Sequence, residues 1–151
     1  MYSPSVPLST RRAATPPSTP LAEAVARVGD RWLLLLVDAL LGGPARFGDL
    51  SEALPGIAPN ILSGRLKHLV AEGVAVARPY SRRPPRFEYS LTERGRELGG
   101  ALRLLAQWGA PHTAEGEATR HQVCGTPVEP RWYCPTCDAL TDGDASDLTY
   151  L

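Results

Sequence analysis

From Thr19 onward the chain alternates between apolar stripes at helical spacing and short breaks made of Gly, Pro and Asp. Thr19-Pro20 offers a helix cap followed by Pro at the first helical position, and Leu21, Ala24, Val25 and Val28 then fall on one face. After the break Gly29-Asp30, the segment Arg31 to Leu41 is apolar almost all round, which predicts a buried central helix stopped by Gly42-Gly43-Pro44. Arg46 to Leu54 predicts a short helix, Pro55 to Pro59 a turn, and Asn60 to Glu72 a second helix. Phe47, Leu50 and Leu54 would face Ile57, Leu62, Leu66, Leu69 and Val70 across that pair. Two β-favouring runs follow, Val74 to Tyr80 and Phe87 to Leu91, around the loop Ser81 to Arg86, and so predict a hairpin. Thr92 then caps a last helix, Glu93 to Trp108, with an apolar stripe of Leu98, Ala101, Leu102, Leu105 and Trp108.

Helix, turn, helix and hairpin in this order predict a winged helix-turn-helix, an α+β fold that is mainly α, with a long dimerisation helix behind it. The outward side of the second helix holds Pro59, Asn60, Ser63, Gly64 and Lys67, with Arg65 beside them. Small and polar residues at a helix start suit close approach to base edges, where Asn pairs with adenine and Lys with guanine or phosphate. Any amphipathic helix has a solvated face, so this stretch alone decides nothing. The hairpin loop adds Arg82, Arg83 and Arg86 between stiffening prolines, and Arg at such a tip reaches phosphates or enters a minor groove. Between Asn60 and Arg86 six basic residues face one acid, Glu72. The expected partner is double-stranded DNA.

A formal net charge of zero looks unfavourable for such a partner, but the balance hides an asymmetry. Residues 1–110 carry 14 Lys and Arg against 9 Asp and Glu, whereas residues 111–151 carry 2 against 7. Screening beyond about 8 Å at physiological salt means that a binding face feels its local charge and not the total. Only one of the 16 basic residues is Lys, and Ala, Gly and Pro are abundant, which hints at a GC-rich bacterial genome. The longest apolar run, Trp32 to Val37, is far too short to span a bilayer, and the N-terminal residues have no apolar stretch behind Arg11 and Arg12 of the kind a secretory signal needs. A cytoplasmic protein is expected. The domains expected are a Pro/Ser-rich mobile arm over 1–19, the winged domain over 20–110, a linker over 111–120 and a tail over 121–151.

The first and last helices each carry an apolar stripe that a small winged domain has limited surface to bury. A homodimer that packs both across a two-fold axis is the economical solution; capping of the protomer's own core is the alternative. All three cysteines lie in the tail, in His121-Gln-Val-Cys124-Gly125 and Cys134-Pro-Thr-Cys137-Asp138. His121, Cys124, Cys134 and Cys137 have the spacing of a Cys3His set for tetrahedral structural Zn2+, with Val128 to Tyr133 as a strand between the two turns. A disulfide with one leftover thiol and a degenerate site remain as alternatives, though a reducing compartment disfavours the first. A segment this short needs a staple, which favours the metal. His68 reads as a helix-surface residue, and His112 as a less well spaced substitute for His121. The sequence has no phosphate loop, no nucleophile paired to a base by motif and no open metal site, so an enzyme is not expected.

Several strings together carry a family resemblance: Val28-Gly-Asp-Arg-Trp32, Gly43-Pro-Ala-Arg-Phe-Gly-Asp-Leu50, Leu54-Pro-Gly-Ile-Ala-Pro-Asn-Ile-Leu-Ser-Gly-Arg-Leu66, Pro84-Pro-Arg-Phe-Glu-Tyr-Ser-Leu-Thr-Glu-Arg-Gly95 and Trp108-Gly109. Residues 21–110 resemble the HxlR-type winged helix regulators, which are MarR-like, here with a zinc-knuckle-like C-terminal extension. The resemblance implies a homodimeric bacterial transcription factor on palindromic operators, with the helix from Pro59 in the major groove and the Arg82 to Arg86 wing alongside. Some relatives sense oxidants or electrophiles through a cysteine near the N-terminal or central helix. This chain has no Cys before Cys124, so that route is absent. The alternative function is a protein-interaction module whose acidic tail docks a transcription partner. Operator, target genes, sign of regulation and the existence of a small-molecule effector are not legible in the sequence.

Overall fold

A computed structural model describes residues 19–113 and 119–141. All but Thr19 of the expected arm over 1–19, half of the expected linker and the acidic end of the tail lie outside the described residues. The chain divides into two compact units, one up to Thr92 and one from Glu93.

In the first unit, α1 (Pro20–Val28) starts under the Thr19 hydroxyl, which accepts from the Ala22 N–H at 3.2 Å. Next come α2 (Arg31–Leu41), a two-residue strand β1 (Ala45–Arg46), α3 (Phe47–Ala53) and α4 (Pro59–Ala71). The strands β2 (Ala75–Arg82) and β3 (Pro85–Leu91) follow, and β3 lies between β1 and β2 in an antiparallel sheet. This is a winged helix-turn-helix. Leu36, Val37, Leu50, Leu62, Leu66 and Leu69 are essentially fully buried, so α2, α3 and α4 close on one apolar centre, with Val74, Ala75 and Leu91 also buried. No polar or charged side chain is buried among the described residues.

Polar groups tie the helices together at the rim of this core. The Asp30 carboxylate accepts from the Trp32 N–H at 3.0 Å, capping α2, and receives Arg65 of α4 through Nε at 3.0 Å and Nη2 at 2.9 Å. Burial pushes the Asp30 carboxyl up, but the Arg65 and Trp32 hydrogen bonds outweigh it and hold it below its usual 3.8. The pair is partly exposed, so its contribution is modest; it is present above the ordinary carboxylate range and lost as pH falls through the lowered value. His68 of α4 donates from Nε2 to the Arg27 carbonyl at 2.9 Å, and Arg27 reaches Glu72 at 2.9 Å. His68, read from sequence as a surface residue, thus fastens α4 to the end of α1.

Two boundaries differ from the sequence expectation. The wing loop expected over Ser81 to Arg86 is mostly strand. A register shift between Pro79 and Ser81 lets Ser81 pair with Arg86 and Arg82 with Pro85, which leaves only Arg83 and Pro84 in the turn. The Ser81 hydroxyl donates to the Pro84 carbonyl at 2.9 Å and closes that tip. Prolines that read as breakers are compatible with this hairpin because Pro79 lies on the edge strand and Pro85 opens β3, where a missing N–H costs little. β1 was not expected at all, since two residues are too few to show an alternating pattern.

The second unit contains α5 (Glu93–Gly109), a single 3-10 turn at Ala110–His112 and the antiparallel hairpin β4 (Trp132–Cys134) and β5 (Ala139–Thr141). The strand expected over Val128 to Tyr133 starts only at Trp132. Ahead of it, Pro127 and Val128 are taken up by the other turn instead: Pro127 bridges Arg120, and the Val128 N–H donates to the Thr119 carbonyl at 2.8 Å. On α5, Leu102 is buried, but Leu105 is 53% and Trp108 74% exposed. The apolar face of α1 is equally uncovered, with Leu21 73% and Val25 57% exposed.

Candidate nucleic-acid interface

The first turns of α4 present the residues singled out from the sequence. Pro59 sits at the helix start, and Pro59, Asn60, Gly64 and Lys67 are exposed, with Ser63 half-buried among them. They fall on the outer side because Leu62, Leu66 and Leu69, three and four residues apart, are drawn into the core and rotate the intervening positions outward. A helix beginning at Pro59 also turns its unsatisfied N–H groups and positive dipole end to the same side. Arg65 is different. Both ends of its guanidinium fork rest on Asp30, so this residue, expected with the DNA-contacting set, ties α4 to the start of α2.

In the wing, Arg82, Arg83 and Arg86 are all exposed, and among the described residues neither they nor Lys67 form an ion pair. Because Arg82 and Arg86 belong to paired strands, the hairpin ladder holds their backbones where a free loop would not. One basic group escaped the sequence reading. Arg46 is carried to the wing by the pairing of β1 with β3, in which it lies opposite Glu88, and its guanidinium stacks over the Tyr80 ring at 4.5 Å. The Arg46 backbone N–H donates to the Asp49 carboxylate at 2.8 Å, which fixes the start of α3. The only local hint was an Arg directly before a short apolar-periodic helix.

The tail residues come as two pairs. In the first, His121 Nδ1 lies 3.3 Å from the Cys124 sulfur. In the second, Cys134 ends β4 and Cys137 lies in the turn that leads to β5. The Thr126 hydroxyl and N–H, followed by His121, hold the exposed Cys124 thiol down at about 7, and the Cys137 N–H lowers Cys134. Among the described residues no three His, Cys, Asp or Glu side chains gather around one point. His112 stays with α5, its ring 5.5 Å from that of Trp108.

An HxlR-like helix-turn-helix family model matches residues 27–117. The chain belongs to that family. It is 40% identical over 121 residues to an uncharacterized HTH-type transcriptional regulator of Mycobacterium tuberculosis, covering 78% of this chain and 76% of the relative. Among solved structures, it resembles a candidate transcription factor from Pseudomonas aeruginosa at TM-score 0.65 and 30% identity, over 86% of this chain and 89% of the other. It also resembles a MarR-family protein of Porphyromonas gingivalis at TM-score 0.60 and 28% identity, over 68% of this chain and all of the other. The family and these relatives are transcriptional regulators, so the chain is a regulator of helix-turn-helix, MarR-like type and not an enzyme. No helix among the described residues is long and apolar enough to cross a membrane.

Proposed function

We propose that the protein is a homodimeric, sequence-specific regulator that reads double-stranded DNA with the N-terminal half of α4 in the major groove and sets the wing on the flanking backbone or in the minor groove. The observation that carries this reading is the exposed set Asn60, Lys67, Arg82, Arg83 and Arg86, whose cations form no ion pair among the described residues, on two elements of one compact unit. Base-edge chemistry is supplied by Asn60, Ser63 and Lys67. Pro59 and Gly64 add little bulk, which suits a close approach to the groove. The wing arginines supply phosphate contacts, and Arg46 lies beside them. Arg65 contributes by orienting α4. Free cations on this face also favour DNA over a protein-docking role. The exposed apolar faces of α1 and α5 support the homodimer, because contiguous large side chains left to water mark an interface.

Two substitutions separate reading from gripping. Asn60→Ala is expected to cost about 1–3 kcal/mol on the specific site and almost nothing on random duplex, measured by fluorescence anisotropy with operator and scrambled DNA. Equal losses on both would leave α4 a backbone contact only. Arg82→Ala with Arg83→Ala should weaken all duplexes alike and lower the slope of log affinity against log salt by roughly one unit per lost phosphate contact. An unchanged slope removes the wing from the interface.

A further inference from the structure

The tail contains two turns of the same construction. In the first, the His121 N–H donates to the Thr126 carbonyl at 2.9 Å, the Gly125 N–H donates back to the His121 carbonyl at 2.8 Å, and Gly125 has φ +69°. In the second, Cys134 pairs with Ala139 at the ends of β4 and β5, and Asp138 has φ +50°. Each turn thus places a donor residue at its first position, a cysteine at its fourth and a left-handed residue at its fifth. His121 corresponds to Cys134, Cys124 to Cys137 and Gly125 to Asp138. A left-handed conformation is uncommon for a residue with a side chain, so its recurrence at Asp138 reflects a backbone shape required in both turns. That shape brings the first and fourth side chains to one side, as the 3.3 Å contact of His121 with Cys124 demonstrates.

The second observation is what the tail lacks. None of residues 119–141 is buried; Val123, Trp132, Tyr133 and Leu140 are all exposed, and only Cys134 and Thr141 are half-buried. Two three-residue strands with no core do not hold a fixed structure in water, so these turns need a cross-link.

We infer that His121, Cys124, Cys134 and Cys137 form one structural zinc site, with each turn contributing half of a tetrahedral Cys3His set. In the structure the donors stand as two pairs, and the ion supplies the closure of the two turns onto each other. Binding converts three thiols to thiolates, with their protons released to solvent, while His121 binds through a neutral ring nitrogen. All four positions are then filled by protein, so no water is activated. A Cys134–Cys137 disulfide is the competing arrangement; it needs an external oxidant and leaves Cys124 and His121 without a role.

The test uses the full chain, purified under reducing conditions without chelators. Elemental analysis should find one zinc per chain, and exchange for Co2+ should give the intense visible absorption of a tetrahedral, thiolate-rich site. Chelation should release three reactive thiols per chain. Metal content should fall towards zero in Cys124→Ser and His121→Ala, yet stay at one per chain in His112→Ala and in His121→Cys, the last with its Co2+ spectrum changed to that of four sulfurs. Circular dichroism of the helices, unchanged across the series, separates loss of metal from loss of fold. Absence of metal, or full retention of it in Cys124→Ser, overturns the proposal.

Discussion

If the proposed homodimer packs through α5, Leu105→Glu together with Trp108→Glu is expected to leave the regulator a monomer and to lower its affinity for an operator with two half-sites by about 10²–10⁴-fold, the gain that linking two binding units confers. Binding to an isolated half-site should hardly change. Both side chains are largely exposed on α5, so a protomer loses little by their replacement, whereas burying two carboxylates without partners in an apolar interface is strongly unfavourable. Sedimentation velocity measures the first effect, and titration of full and half operators the second. A variant that remains dimeric would move the interface elsewhere, and a monomer with undiminished operator affinity would remove dimerisation from the mechanism.

Leu66→Ala should have the largest effect on the fold, about 2–5 kcal/mol in urea unfolding, because truncating a fully buried leucine leaves a cavity that rigid neighbours fill poorly. A small domain has a total of roughly 5–15 kcal/mol, so the variant should be partly unfolded near physiological temperature. DNA binding should fall in proportion to the unfolded fraction and recover on cooling, since Leu66 touches no DNA in the proposed mode. Its neighbours in sequence provide the contrast: Arg65 ties the same helix to Asp30 at the rim, and Lys67 lies exposed one residue later. A loss under about 1 kcal/mol would contradict the packing of α2 against α4.

The helices were almost wholly legible because their periodicity is strong and their ends are chemically marked. Thr19-Pro20 starts α1 and Gly42-Gly43 ends α2, as expected, and the break read at Gly29-Asp30 is where Asp30 caps α2. α4 runs from Pro59 to Ala71, within a residue of the expected span. Asn60, Gly64 and Lys67 could be assigned to the outer face from the positions of Leu62, Leu66 and Leu69 alone. The wing was legible as a hairpin but not in its extent, because a bulge at Tyr80 carries the pairing past residues whose local preference is for a loop.

By itself the sequence determined the order of the helices and the wing hairpin, the family, the apolar interior and the basic face opposite it, all of which follow from local spacing and residue chemistry. Only the tertiary structure decided which charges are free. Arg65 and Arg82 look alike in sequence, yet one meets Asp30, 35 residues away, and the other meets no carboxylate among the described residues. Likewise β1 exists because β3 is there to receive it, and Arg46 joins the wing for that reason. Pairings across such separations depend on how the core closes, and no local pattern along the chain records that.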